Sequence, residues 1–391
     1  MKDKILEMVR QSAAREQPYG WLNYQPVNLP GYEETIPLRG RDCFDRSEAV
    51  FAHLRRNFGA APQSLVDWGC NLGFFVFEAA KLGHVARGFD SDRRLVAACE
   101  FLASSTRFPS APFFHAGTMS ADVVRASAPV DVILCLSVLH HLPEKERFRT
   151  IEAIANRCRG AYIEMDGSDY GRRALQLFFW RVEPVTETSD RYGTGRRRRK
   201  TWFCTNRDGD RTLRNLKDRN FVFDRGIFLC SRDSGSPTVL KRERTAPGCY
   251  SHTWLKTSLV HERKIYEEHR SEFFPALLAA GEEDFRWIEL EYLESRGVLG
   301  SPAVDALFGF LEESRLFVID FRIDSFISCD GRLRMIDLES VFTIEGSIQE
   351  TILRNAQDPK RIPPHLTGYD TYEKQKAALK RALLKRVSTA R

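Results

Sequence analysis

The sequence predicts an α/β chain. Its first half reads as a doubly wound, mostly parallel sheet, and its second half as a smaller α+β region. Three observations carry this. Ser64 to Asp92, SLVDWGCNLGFFVFEAAKLGHVARGFDSD, gives a short apolar run, a turn with Gly69 and Gly73, a helical apolar run and a second apolar run ending at Asp90. That is one βαβ unit with a ligand crevice at its carboxyl edge. Strand-like and helix-like segments then alternate to about Thr205. Past Asn206 the alternation stops and antiparallel signals begin.

Within the first unit, Gly69 and Gly73 let the chain turn tightly and leave room for a ligand. Asp90 follows about twenty residues on, where a carboxylate can accept both hydroxyls of a ribose. A dinucleotide site needs G-x-G-x-x-G, so that a pyrophosphate rests on the helix N-terminus. This loop has one glycine fewer and carries Asp67 just before the turn, which suits a cationic ligand better.

The pattern D-x-G-x-x-x-G from Asp67 to Gly73, followed by Asp90, resembles the first two motifs of class I S-adenosylmethionine (SAM) methyltransferases. Asp131 to Pro143, DVILCLSVLHHLP, is similar to their fourth motif, where strand end and turn border cofactor and acceptor. The resemblance implies cofactor contacts from Asp67, Gly69, Cys70, Asn71, Gly73, Asp90 and Ser137. Arg41 to Arg46, R-D-C-x-x-R, looks like a segment of methyltransferases encoded with surface-polysaccharide genes. Arg41 or Arg46 would then hold the SAM carboxylate, or else both are solvated helix charges.

His140 and His141 have two readings. Either is a general base for an acceptor hydroxyl, or one packs and the other lines the pocket. The basic run RYGTGRRRRK, Arg191 to Lys200, grips an anionic acceptor (phosphoglycan or RNA backbone) or is a solvated loop. Expected elements in order are a lead-in with Tyr19, Trp21 and Tyr24 as a flap or a core edge, then a helix through Leu54. Helices follow at Arg94–Leu102, Met119–Ala126 and Arg147–Arg157, with strands at Phe113, Val130, Ala161 and a closing one at Thr201–Thr205.

In the second half, Val222-Phe223, Gly226 to Cys230 and Thr238 to Lys241 read as strands, and Trp254 to His269 as a helix carrying Glu262. Arg286 to Leu293 reads as a strand and Ala303 to Ser314 as a helix. The stretch LFVIDFRIDSFISCDGRLRMIDLESV then places Asp320, Ser325, a hairpin turn at Cys329-Asp330-Gly331, and Asp337 at a strand end. This resembles the catalytic loop and metal segment of protein-kinase-like phosphotransferases. The resemblance makes Asp320 the residue that orients the acceptor hydroxyl, and Ser325 and Asp337 the Mg²⁺ ligands beside ATP. It makes Lys241 the phosphate-binding lysine, Glu262 its partner and Glu289 to Leu293 the adenine-side hinge. Four departures stand: no glycine-rich loop precedes Lys241, Val318 replaces His, Ser325 replaces Asn and Leu338-Glu339 replace Phe-Gly.

Composition narrows the class. With 391 residues, 42% hydrophobic and 27 phenylalanines, the chain has enough apolar mass for two or three cores and is not disordered. No apolar run is long enough to span a bilayer, and the N-terminus lacks a signal peptide's apolar centre. The nine scattered cysteines form no C-x-x-C pair and read as thiols in a reducing cytoplasm. The tail TYEKQKAALKRALLKRV reads as a basic amphipathic helix with Ala377, Leu379, Ala382, Leu383 and Val387. It docks on the domain or meets an anionic membrane surface.

The whole order resembles the bifunctional kinase–methyltransferases that terminate lipopolysaccharide O-antigen chains. It implies a lead-in at 1–39, a Rossmann-like methyltransferase domain at 40–206 and a small α+β protein-kinase-like domain at 207–391. Expected cofactors are SAM, with ATP and Mg²⁺ for the second domain. The expected partner is a glycan or phosphoglycan. An RNA methyltransferase with a non-catalytic second domain, and a scaffold that binds SAM without turnover, stand as alternatives.

Overall fold

The computed structural model describes residues 2–5, 7, 25–32, 41–166, 169–188, 199–216, 225–244, 254–282, 285–295 and 300–389. Met8, Val9, Tyr19, Trp21, Tyr24, Arg191 to Arg198, Val222 and Phe223 lie outside them, as do the side chains of Arg41 and Val387. The chain divides into two compact units, Met1–Asn215 and Leu216–Arg391.

The first unit is built on seven strands: β1 (Ser64–Trp68), β2 (Val85–Asp90), β3 (Phe113–Ala116), β4 (Val130–Cys135), β5 (Cys158–Asp166), β6 (Arg181–Thr188) and β7 (Arg199–Thr205). Their order is β3-β2-β1-β4-β5-β7-β6. From β3 through β5 every pairing is parallel. The chain leaves β1 toward β2 and β3, then returns across it to β4 and β5. The order therefore reverses at β1/β4 and opens a crevice at their carboxyl ends.

Central strands are apolar because helices cover both faces. Leu65, Val132, Leu134, Tyr162 and Phe203 are buried in one core with Phe74, Phe75, Val76 and Phe77 of the helix Phe74–Lys81. Asp92 and Ser120 cap the helices Arg93–Ser104 and Ala121–Ala126, each accepting a backbone N–H.

Thr201–Thr205 does not close the sheet, as the sequence had suggested. It lies within β7, inserted antiparallel between β5 and β6. Sequence reading missed β6 because Pro184 interrupts it. The register shifts between Pro184 and Thr186, and a proline without a donor is tolerated at such an edge bulge. A short hairpin, β8 (Arg207–Asp208) and β9 (Arg211–Asn215), follows.

The second unit has an antiparallel group β12-β13-β11-β10, from β10 (Arg225–Arg232), β11 (Thr238–Arg244), β12 (Leu277–Glu282) and β13 (Phe285–Glu291). Its helix starts at Leu259, not Trp254, and runs to Glu268. The reason is nonlocal: Leu255 bridges to Ala356, and Lys256 donates its N–H to the Asn355 carbonyl, so both are held extended. The helix Ser301–Glu313 precedes β14 (Leu316–Val318), β15 (Phe326–Cys329), β16 (Arg332–Met335) and β17 (Val341–Thr343). Asp330 and Gly331, at φ 50° and 76°, turn β15 into β16, as hairpins with two left-handed central residues do.

The tail forms a helix, Tyr372–Thr389, that buries Gln375, Ala378, Leu379 and Leu383 in the second unit's own core. Ala377, assigned to the apolar face from sequence, is exposed. No disulfide joins the described cysteines. Among the described residues, no helix is long and apolar enough to cross a membrane.

Leu134 lies fully buried in the central strand β4, whereas Val123 is 44% exposed on a helix. Leu134→Ala is expected to destabilise the first unit by about 2–5 kcal/mol. Val123→Ala should stay within about 0.5 kcal/mol. Urea denaturation of both variants checks the contrast, and equal effects would contradict the sheet's layering.

Candidate functional site

Three left-handed residues shape the turn after β1: Gly69 at φ 76°, Asn71 at 52° and Gly73 at 75°. The glycines also permit close packing. A Cβ on Gly69 would come within 3.0 Å of Val138, and one on Gly73 within 2.8 Å of Phe114. The loop is fastened to the end of β2. Gly69 and Cys70 donate their N–H groups to the Phe89 carbonyl at 2.8 and 3.0 Å. Asn71 donates its N–H to Asp90 Oδ2 at 2.9 Å, and Asp92 donates to Oδ1 at 2.9 Å. Each carboxylate oxygen keeps a lone pair for a further donor, so Asp90 is fixed in orientation yet able to accept two hydroxyls.

Asp67 is 1% exposed, and its Oδ2 has no hydrogen-bond partner among the described residues. Burial pushes its carboxyl well above the usual range; the Asp90 charge adds to this and Arg46 opposes it. Arg46, from the helix Arg41–Phe58, is equally buried. Its Nη1 donates to Glu164 Oε2 at 2.7 Å. Its Nε and Nη2 are buried without partners. These two form one edge of the guanidinium fork, which matches a carboxylate bidentately. An orphaned carboxyl oxygen and an orphaned guanidinium edge, each costly if left empty, fit the ammonium and carboxylate of an amino acid.

On the far side of β4 the chain enters Ser137 with φ 61°. Its hydroxyl donates to Glu164 Oε1 at 2.7 Å. Arg199, opening β7, donates to the same oxygen at 3.1 Å. Because β7 runs antiparallel to β5, Arg199 and Lys200 pair with Asp166 and Met165 at the sheet's carboxyl edge. The short turn Leu139–His141 follows, held by Arg147, whose guanidinium donates to the Leu139 and Leu142 carbonyls at 3.0 and 3.2 Å.

The rings of His140 and His141 lie 3.9 Å apart, centroid to centroid. Both reach solvent. Even so, partial desolvation, then the Arg199 charge, push the His140 pKa down to about 4, with Glu164 opposing. His141 is lowered for the first two reasons. Both imidazoles are therefore mostly neutral near neutral pH, and a base as weak as His140 is poorly matched to deprotonating a hydroxyl.

In the second unit, Lys241 of β11 reaches Glu262 Oε1 at 2.5 Å, Asp337 Oδ1 at 3.2 Å and the Ile336 carbonyl at 3.3 Å. Burial would lower the Lys241 pKa, but the Asp337 and Glu262 carboxylates outweigh it and hold it raised. Burial would likewise raise Asp337, but Lys241 and Arg225 hold it low. Arg225, at the start of β10, bridges Glu262 and Glu339. Burial pushes Glu339 up to about 7 against the pull of Arg225.

Asp320 is buried and accepts from Arg322 Nε at 3.0 Å; its carbonyl accepts the Ser340 hydroxyl at 3.4 Å. Ser325 ends the turn Ile323–Ser325, and its carbonyl accepts the Ile336 N–H at 2.9 Å, next to Asp337. The structure thus brings Lys241, Glu262 and Asp337 into direct contact. Asp320 and Ser325 are tied to the same segment by bonds that use their main-chain carbonyls. A carboxylate and a hydroxyl suit Mg²⁺, which takes one or two protein oxygens and fills its shell with water and phosphate.

Sequence reasoning missed Glu164, Arg225 and Glu339. The signal for Glu164 was a lone acid near the end of the apolar run Ala161 to Met165. Arg225 and Glu339 gave none, because their partners lie 37 to 114 residues away.

No protein-family model matches the chain. No curated protein matches it either. Among solved structures, it is similar to the bifunctional kinase-methyltransferase WbdD, at 18% identity over 96% of this chain and 95% of that one, with a TM-score of 0.42. It is also similar to magnesium protoporphyrin IX methyltransferase from Synechocystis PCC 6803 with bound SAM, at 18% identity over 51% of this chain and 90% of that one, with a TM-score of 0.39. Likenesses this distant leave the activity of the chain to be argued from its own residues.

Proposed function

We propose that the chain is a SAM-dependent O-methyltransferase, carried by residues 40–206, followed at 207–391 by a kinase-like domain that uses ATP and Mg²⁺. The observation that carries the first part is the pair of buried orphans, Asp67 Oδ2 and the Nε/Nη2 edge of Arg46, beside a glycine turn and Asp90. Together they match an amino-acid end and a ribose on one ligand. A dinucleotide offers a pyrophosphate instead, which brings no donor to Asp67 Oδ2. When bound, SAM would supply an electrophilic methyl group on a sulfonium. Arg46 and Asp67 would hold its amino-acid end, and Asp90 its ribose. The rest of the chemistry is positioning of an acceptor oxygen for in-line attack.

The acceptor we assign is a surface-polysaccharide glycan, methylated on a terminal phosphate. Neutral histidines beside Arg199, with Lys200 at the same sheet edge, support an acceptor that arrives already anionic. A phosphate oxygen needs no general base, whereas a sugar hydroxyl does. The kinase-like domain would supply that phosphate, with Lys241 on the ATP phosphates, Glu262 holding the lysine, Asp337 and Ser325 on Mg²⁺, and Asp320 orienting the sugar hydroxyl.

Calorimetry with SAM should give a clear loss of affinity for Asp90→Ala, on the order of 2 kcal/mol. Equal affinity for wild type and variant would remove Asp90 from the site. In thermal unfolding, Mg-ATP at about 100 times its dissociation constant should stabilise wild type by roughly 2.7 kcal/mol and spare Asp337→Ala that gain. No shift for a folded wild type would leave the second unit a scaffold.

Radiolabelled methyl transfer tests the link between the two activities. His140→Ala and His141→Ala should retain most methylation of a phosphorylated glycan between about pH 7 and 8, where burial and the Arg199 charge keep both imidazoles mostly neutral. Asp320→Ala should abolish ATP-dependent methylation of the unphosphorylated glycan and spare the phosphorylated one. ATP-independent methylation of the unphosphorylated glycan would return the histidines to the role of base.

A further inference from the structure

Glu164 is a carboxylate that the proposed reaction does not consume, yet it sits where four elements meet. It lies on β5, its side chain is 1% exposed, and each of its oxygens faces a different part of the site. Oε2 accepts from Arg46 Nη1 at 2.7 Å, on the cofactor side. Oε1 accepts from the Ser137 hydroxyl at 2.7 Å and Arg199 Nη1 at 3.1 Å, on the acceptor side. We propose that Glu164 is a positioning residue that sets the cofactor clamp with one oxygen and the histidine turn with the other. The inference rests on the methyltransferase reading and adds to it a residue that holds both reactants' binding groups in one frame.

The cofactor half follows from guanidinium geometry. By taking Nη1, Glu164 fixes Arg46 with its Nε/Nη2 edge intact and without a partner. A carboxylate arriving there finds a fork already oriented, so little side-chain entropy is lost on binding. The acceptor half follows from backbone strain. Ser137 has φ 61°, a conformation that costs a non-glycine residue free energy and persists only where its surroundings hold it. A charge-assisted bond from the Ser137 hydroxyl to Glu164 offsets that cost. Three residues further on stands His140, and Val138 between them packs against Gly69 of the cofactor loop. Release of Ser137 would let the histidine turn drift from that loop.

The test uses the full chain and two readouts. S-adenosylhomocysteine affinity, by calorimetry, reports the cofactor side. Side-chain NMR signals of His140 and His141, in protein labelled at histidine, report the acceptor side without any need for the acceptor. Arg46→Lys keeps the charge and removes the fork, and should weaken S-adenosylhomocysteine about tenfold or more while leaving the histidine signals in place. Ser137→Ala should shift those signals and weaken S-adenosylhomocysteine by clearly less than Arg46→Lys does. Glu164→Gln should do both. If Glu164→Gln does not fold, the opposite selectivities of the other two variants still decide the matter. Equal responses of both readouts to Arg46→Lys and to Ser137→Ala would reduce Glu164 to a structural ion-pair partner and overturn the proposal. A wild-type chain that fails to bind S-adenosylhomocysteine would instead overturn the methyltransferase reading beneath it.

Discussion

Strand order in the first unit reverses at β1/β4, and the site depends on that constraint. Because β2 and β4 flank β1 on opposite sides, the loops that leave β1 and β4 splay apart and leave a crevice between them. Everything assigned to the cofactor lies around it: the glycine turn after β1, Asp90 at the end of β2 and Ser137 after β4. The antiparallel insertion of β7 beside β5 then carries Arg199 and Lys200 to the same edge. A parallel β7 would have left those cations at the opposite edge.

Buried charge is handled in the same way in both units. Glu164 in the first unit and Glu262 in the second are almost fully buried, and each accepts from more than one cation. Taking a carboxylate out of water is costly, and one partner rarely compensates it. Two partners do, and they also fix the carboxylate's orientation. Such clusters are better suited to orienting side chains than to adding stability. Lys241 is aimed by Glu262 and Asp337, as Arg46 is aimed by Glu164.

The βαβ unit from Ser64 to Asp90 was legible in the sequence because its signals are local: period, glycines and a carboxylate at fixed spacing. So was the hairpin turn at Asp330-Gly331. The helix expected from Trp254 failed at its start because Leu255 pairs with Ala356, a contact that no window of sequence contains. Pro184 hid β6 for a local reason that masked a nonlocal one. Glu164 was visible only as an oddity, since Arg46 lies 118 residues away and Ser137 lies 27. Lys241, Glu262 and Asp337 were reached through resemblance, because spacing alone does not bring residues 21 and 96 apart into one ion-pair cluster.

The central claim is that the crevice is made for a nucleoside carrying an amino acid, held by Arg46 and Asp67 at that end. Calorimetric comparison of S-adenosylhomocysteine with 5′-methylthioadenosine, which lacks the amino-acid end, tests it most directly. Two charge-assisted contacts should make S-adenosylhomocysteine bind about a hundredfold more tightly or better. Equal affinity for the two nucleosides would contradict the assignment of Arg46 and Asp67.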